Sequence, residues 1–153
     1  MRNYQMASFG DFKCANCHAI VSSMHMLSGV NNRNHCPYCL WSCHLDLYSA
    51  GDRLSACRAP MKPIGLTMKR NRNKYQLSPR GELMLIHECI ECISLSINRI
   101  AADDDPESVL AVFQFSLAVN HPALYEQHDI VTLKADNIEI VHAQLFGQNP
   151  MIA

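Results

Sequence analysis

The sequence lacks the features that mark several common enzyme and membrane classes. It has no Gly-rich phosphate loop and no Gly-x-Ser-x-Gly elbow, which removes P-loop and serine-elbow chemistry from consideration. Its longest apolar stretches, Leu83–Ile86 and Val109–Val119, fall far short of the ~20 residues of a membrane span. No basic segment followed by an apolar run opens the chain. The expectation is a soluble, cytoplasmic protein with no membrane role and no small-molecule substrate. A length of 153 residues suits one compact domain with an appendage and excludes a large multidomain enzyme. There is no low-complexity tract, and no internal repeat beyond a recurring Cys-x-x-Cys pair.

Positive charge is scarce in the second half. Residues 81–153 carry 2 Lys+Arg against 11 Asp+Glu, whereas residues 1–80 carry 11 against 3, so the net charge of −1 conceals a strong division. Thiolates bound to zinc would offset part of the basic half, which still suits an approach to phosphate.

Cysteine is the abundant and informative residue. Cys14-Ala-Asn-Cys17, Cys36-Pro-Tyr-Cys39 and Cys89-Ile-Glu-Cys92 are three pairs, with Cys57 alone and Cys43 beside His44. In a chain kept in a reducing compartment such pairs read as metal ligands before disulfides. Two intervening residues form a tight turn that points both sulfurs at one ion, supplying half of a tetrahedral Zn²⁺ shell. Eight donors, Cys14, Cys17, Cys36, Cys39, His44, Cys57, Cys89 and Cys92, suffice for two zinc ions. They divide in two ways. Either Cys14, Cys17, Cys36 and Cys39 form one site and His44, Cys57, Cys89 and Cys92 the other, or the outer pairs close one site around an inner set of Cys36, Cys39, His44 and Cys57. Spacing does not choose between them. His35 and His87 precede Cys-x-x-Cys pairs and compete with His44 as ligands.

The string Arg33-Asn34-His35-Cys36-Pro37-Tyr38-Cys39-Leu40, followed by Ser42, His44 and Asp46, resembles the motif of the RNHCP domain family. The similarity runs on through Gly51-Asp52-Arg53, Cys57, Met61-Lys62-Pro63-Ile64, His87 to Cys92, and Asn98-Arg99-Ile100 with Asp103 and Asp104, covering about residues 9–105. It implies a small zinc-binding domain whose biochemical role is poorly established. Arg58 and Ile93 stand after Cys57 and Cys92 where the family usually has glycine, and Cys43 is additional.

Residues 64–68 and 82–87 read as short strands joined by the basic segment Lys69-Arg-Asn-Arg-Asn-Lys74 and the turn Ser78-Pro79-Arg80-Gly81. Four cations in six residues could be a solvated tip. Set in a basic half and next to Tyr75, they favour phosphate contact. Lys69, Arg70, Arg72, Lys74 and Tyr75, with Arg33 and Arg53, form the expected RNA-binding set, and Tyr38, Trp41, Tyr48 and Tyr75 are the stacking candidates. Asp105 reads as an N-cap with Pro106 at the first position of an apolar helix to about residue 119. Ile130–Leu133 and Ile138–His142 read as a hairpin.

The expected fold is α+β: a small, mostly β, zinc-ribbon-like domain over 8–105 with two zinc sites, then a helix and β-hairpin extension over 106–153 packed on it. The expected function is zinc-stabilised binding of structured RNA, associated with ribosomal RNA and ribosomal proteins, without catalysis. Two alternatives stand beside it. One is a metal-dependent nuclease using His35, His44, Asp46, Asp52 and Asn98, although closed four-ligand zinc shells leave no open coordination position. The other is an interaction adaptor that uses the apolar helix.

Overall fold

Three short segments that each turn sharply after a cysteine, followed by two long apolar strands, set the architecture. The computed structural model describes residues 11–49, 51–69, 81–119 and 130–147. The chain begins with a small antiparallel pair, β1 (Phe12–Lys13) and β2 (Ile20–Val21), and a single helical turn, α1 (His25–Ser28). A four-stranded antiparallel sheet follows in the order β3 (Ser42–Cys43), β4 (Pro60–Lys69), β5 (Glu82–Cys89) and β6 (Leu95–Arg99). The expected strands over 64–68 and 82–87 are the centres of β4 and β5. Both are near-continuous apolar runs because both faces of the sheet are covered along this pair.

One face of the sheet carries the main core. Leu66, Leu83 and Leu85 pack with Leu40, with Val109 and Phe113 of α2 (Pro106–Ala118), and with Leu133 and Val141. Asp105 stands at the N-cap with Pro106 after it, as expected, and its carboxylate accepts from the Ser108 hydroxyl at 2.7 Å. The helix is apolar nearly all round, but only Val109 and Phe113 are buried, while Phe115 and Leu117 stay 45% and 43% exposed. Ile138, Val141 and Leu145 pack against the same core, and Lys62 Nζ lies 5.2 Å from the centre of the Phe115 ring.

The hairpin expected after residue 130 does not form. Residues 131–133 pair instead with β4: Thr67 bridges Thr132, Leu133 N–H donates to Leu66 O at 2.9 Å, and the Thr67 hydroxyl donates to Val131 O at 2.6 Å. Residues 138–142 lie in a helix, α3 (Ile138–Phe146), entered through a 3₁₀ turn, Ala135–Asn137, and closed by left-handed Gly147. The β-branched Ile138, Ile140 and Val141 suggest strand by propensity. Burial decides otherwise, since spacings of three and four put Ile138, Val141 and Leu145 on one helical face toward the core. No helix among the described residues is long and apolar enough to cross a membrane.

Candidate metal centres

Each Cys-x-x-Cys pair folds as the same turn. The first cysteine's N–H donates to the carbonyl five residues on: Cys14 to Ala19 at 2.8 Å, Cys36 to Trp41 at 2.9 Å and Cys89 to Ser94 at 2.9 Å. Its own carbonyl accepts from the residue after the second cysteine: His18 at 3.0 Å, Leu40 at 2.9 Å and Ile93 at 3.0 Å. Swinging that N–H back demands a left-handed residue, and His18, Leu40 and Ile93 have φ of 67°, 65° and 64°. Arg58, after Cys57, has φ of 51°. The geometry that glycine provides freely is therefore kept by four larger side chains at a cost of about 1–2 kcal/mol each.

These turns bring the eight expected donors into two clusters, Cys14–Cys17–Cys36–Cys39 and His44–Cys57–Cys89–Cys92, with the donor atoms of each within 4.8 Å of one another. This is the sequential division; the nested one is not formed. Its cause is the sheet. Antiparallel pairing sets Met61 opposite Cys89, and His44 and the Cys57 loop are tied by His44 N–H to Ala59 O at 2.9 Å and Arg58 N–H to His44 O at 3.1 Å. Cys14 and Cys39 sulfurs lie 3.5 Å apart, and Cys17–Cys36 and Cys57–Cys89 lie 3.6 Å apart. Those separations are far beyond the ~2.05 Å of a disulfide. They match the ~3.8 Å edge of a tetrahedron with ~2.3 Å Zn–S bonds. His44 completes its cluster through Nδ1, 3.3 Å from Cys92 Sγ. The two clusters are positioned to bind two zinc ions.

Without an ion the sulfurs differ. Burial pushes the Cys36 thiol up to about 12 and raises Cys39, whereas the Ala19 backbone lowers Cys17. The hydroxyl and backbone N–H of Ser94 bring Cys92 down to about 6. A metal that enters must displace protons from the buried thiols, which couples binding to proton release.

The histidines that competed with His44 have other work. His87 is fully buried; its Nε2–H donates to Leu40 O at 2.7 Å, and its Nδ1 accepts from Asn98 at 2.8 Å. His35 Nε2–H donates to Asp104 at 2.6 Å. Cys43 stays outside both clusters, its thiol donating to Arg58 O at 3.2 Å.

Arg33 is corrected as a phosphate ligand. Its side chain is fully buried, pairing with Asp103 at 2.7 Å and Asp104 at 3.2 Å and donating through Nε to His35 O at 2.9 Å. Its carboxylate partners lie seventy residues away and close the first cluster's loop onto the start of α2, and the buried, charge-paired guanidinium is out of reach of a phosphate. Arg53 is half-exposed but engaged: its guanidinium donates to Asn34 and lies 3.7 Å from Asp46. Lys69 is exposed at the end of β4. Arg70, Arg72, Lys74 and Tyr75 lie outside the described residues.

Three of the expected nuclease residues, His44, Asp46 and Asn98, line one cavity of about 410 Å³. His35 and Asp52 do not join them. Asp52 instead accepts from the N–H groups of Leu47, Tyr48, Ser49 and Leu54 at 2.8–3.0 Å, which hold its carboxyl well below the usual range. Gly51, at φ 87°, lies within this turn just before Asp52, where a Cβ would come within 2.6 Å of the Asn32 amide. Sequence reasoning passes over Lys13 and Arg58, which line a second cleft beside Trp41. The available signal is that each neighbours a cluster cysteine in the chain.

A family model described as the RNHCP domain matches residues 9–110. No curated protein and no solved structure matches the chain.

Proposed function

Since the chain belongs to the RNHCP domain family, we propose, from that premise, that it is a zinc-stabilised RNA-binding protein of the cytoplasm. In this reading it associates with ribosomal RNA and ribosomal proteins and acts by binding, not by catalysis. The observation that carries the reading is the charge division: the half that holds the first cluster has 11 Lys+Arg against 3 Asp+Glu. Exposed Lys13, Arg58 and Lys69 belong to it, as do Tyr38 and Tyr48, which are 64% and 84% exposed. Cations that meet phosphate and aromatics that stack on unpaired bases are the two ingredients of RNA recognition without chemistry. The acidic half then faces solvent or a basic ribosomal protein.

The test is co-sedimentation with ribosomal particles at moderate salt, for the wild type and for a variant with Lys69, Arg70, Arg72 and Lys74 all changed to Ala. Each lost phosphate contact lowers the slope of log affinity against log salt by ~0.7–0.9. Association that is unchanged at two salt concentrations removes the basic segment from the partner surface.

A nuclease is the second reading, favoured by the cavity shared by His44, Asp46 and Asn98. Against it, His44 Nδ1 is directed at the cluster, and Asp46 is occupied by Arg53 N–H and by the Asn34 amide, each at 3.0 Å. Purified protein is expected to leave RNA and DNA intact with Mg²⁺, Mn²⁺ or Zn²⁺. Cleavage abolished by Asp46→Ala with the fold preserved would reverse the order of the two readings.

A further inference from the structure

The cleft beside the first zinc cluster combines three properties that the clusters do not use. It has a volume of about 670 Å³, within the ~300–1,000 Å³ range of ligand pockets. Its walls include the rings of Phe12 and of half-buried Trp41, the one tryptophan in the chain. Two cations, Lys13 from β1 and Arg58 from the turn before β4, line it as well. The one carboxylate there, Asp11, is occupied, accepting from the Ser23 N–H at 3.0 Å and the Ser23 hydroxyl at 3.4 Å.

The second observation is independent of shape and charge. Ser42 is 5% exposed, and its hydroxyl is the one buried side-chain polar atom among the described residues with no hydrogen-bond partner. Ser42 stands between this cleft and the cavity shared by His44, Asp46 and Asn98, lining both. A buried hydroxyl left unpaired is unfavourable, and such groups in native proteins call for an explanation. A bound group with a polar edge satisfies it. Ser42 also belongs to β3, whose pairing to Met61 fixes its position rigidly.

We propose that this cleft receives one unpaired nucleotide of RNA, with the base stacked on Trp41, its polar edge hydrogen-bonded to the Ser42 hydroxyl, and flanking phosphates on Lys13 and Arg58. The proposal rests on the RNA-binding reading and gives it a location. An apolar peptide side chain would use the rings but leave Ser42 unpaired and both cations idle. A free anion would use the cations but not the rings. A nucleotide uses all of them, and stacking on an aromatic face tolerates any base, so preference is modest and comes from the single hydroxyl.

Trp41 is its own reporter. Zinc-loaded protein is titrated with a single-stranded RNA octamer of mixed sequence, reading tryptophan fluorescence and, in parallel, anisotropy of an end-labelled octamer. The same octamer locked in a blunt duplex is the control. Expected are saturable quenching by the single strand, little by the duplex, and about tenfold weaker anisotropy binding for Trp41→Leu, with Trp41→Phe close to wild type because it keeps a stacking face. Lys13→Gln with Arg58→Gln should lower the salt slope by about 1.4. Ser42→Ala should weaken binding a few-fold while leaving the free protein at least as resistant to heat. Zinc content is checked for each variant. Anisotropy binding without quenching, unchanged in Trp41→Leu, overturns the cleft and leaves the RNA-binding reading standing. No anisotropy binding for wild type overturns both.

Discussion

His87 donates its Nε2–H to the carbonyl of Leu40 at 2.7 Å, joining the middle of the sheet to the left-handed residue that closes the Cys36 turn. Asn98 donates to the other ring nitrogen, so both nitrogens are used and the neutral tautomer is determined. The first cluster is thereby fastened to the sheet through a buried, uncharged imidazole.

That imidazole makes stability pH-dependent. Burial, aided by His35 nearby, depresses His87 to about 3, while in the unfolded chain it titrates near 6.5. Between those values the unfolded state binds the extra proton, so this contribution is complete above pH ~6.5 and lost as pH falls, at up to about 1.4 kcal/mol per pH unit. Urea unfolding of zinc-loaded protein at pH 7 and pH 5.5 should show the loss. In His87→Phe that share of the slope should vanish, while stability at pH 7 drops by about 1–3 kcal/mol because the Leu40 carbonyl is left unpaired.

Metal content should be two zinc ions per chain by elemental analysis, and chelation should unfold the protein, read by circular dichroism. Cys36→Ala should leave one ion bound by His44, Cys57, Cys89 and Cys92, and cobalt substitution should then show three-sulfur, one-nitrogen ligation, whereas the nested division would leave the four sulfurs of Cys14, Cys17, Cys89 and Cys92. A four-sulfur spectrum in that variant would contradict the sequential division.

The left-handed residues allow a paired test. Ile93 is 58% exposed at φ 64°, so Ile93→Gly should stabilise by about 1 kcal/mol, seen as a raised thermal midpoint at equal zinc content. Leu40 has nearly the same φ of 65° but is fully buried in the core, so Leu40→Gly should destabilise by more than about 2 kcal/mol.

Asp104 accepts from Arg33, His35 and the Ala101 N–H, all within buried surroundings. Asp104→Ala takes the acceptor from buried His35 and the Ala101 N–H and leaves Arg33 with Asp103 as its one carboxylate, and should cost about 1–3 kcal/mol in denaturant unfolding. Replacing Arg33 and Asp104 together by Met and Leu should recover the share that runs through Arg33. Recovery of nothing would mean that the carboxylate acts through Ala101 and His35 alone.

The ligands were legible in the sequence because a tight turn between two cysteines is a local device. Their division was not, because it follows from Met61 standing opposite Cys89, a pairing between distant strands. Arg33 misled for a related reason. A cation within a basic half resembles a phosphate ligand until the chain brings back Asp103 and Asp104. At 138–142 the β-branched residues spoke for strand, and only the spacing of Ile138, Val141 and Leu145 against Leu66 and Leu85 identified a helix.

The core that Leu66 and Leu85 share with Val109, Phe113, Leu133 and Val141 runs past residue 110, where the family match stops. The stretch that can be recognised and the body that can stand alone are therefore different objects. Cut at that boundary, the chain would retain every zinc donor yet lose Phe113, Leu133 and Val141 from above its two central strands. Metal loading and solubility would then come apart: such a fragment would hold its ions and still clump, sheet against sheet. The final helices serve as a permanently attached chaperone for the zinc-bearing half, and changes in them would surface as aggregation of a domain whose own sequence is untouched.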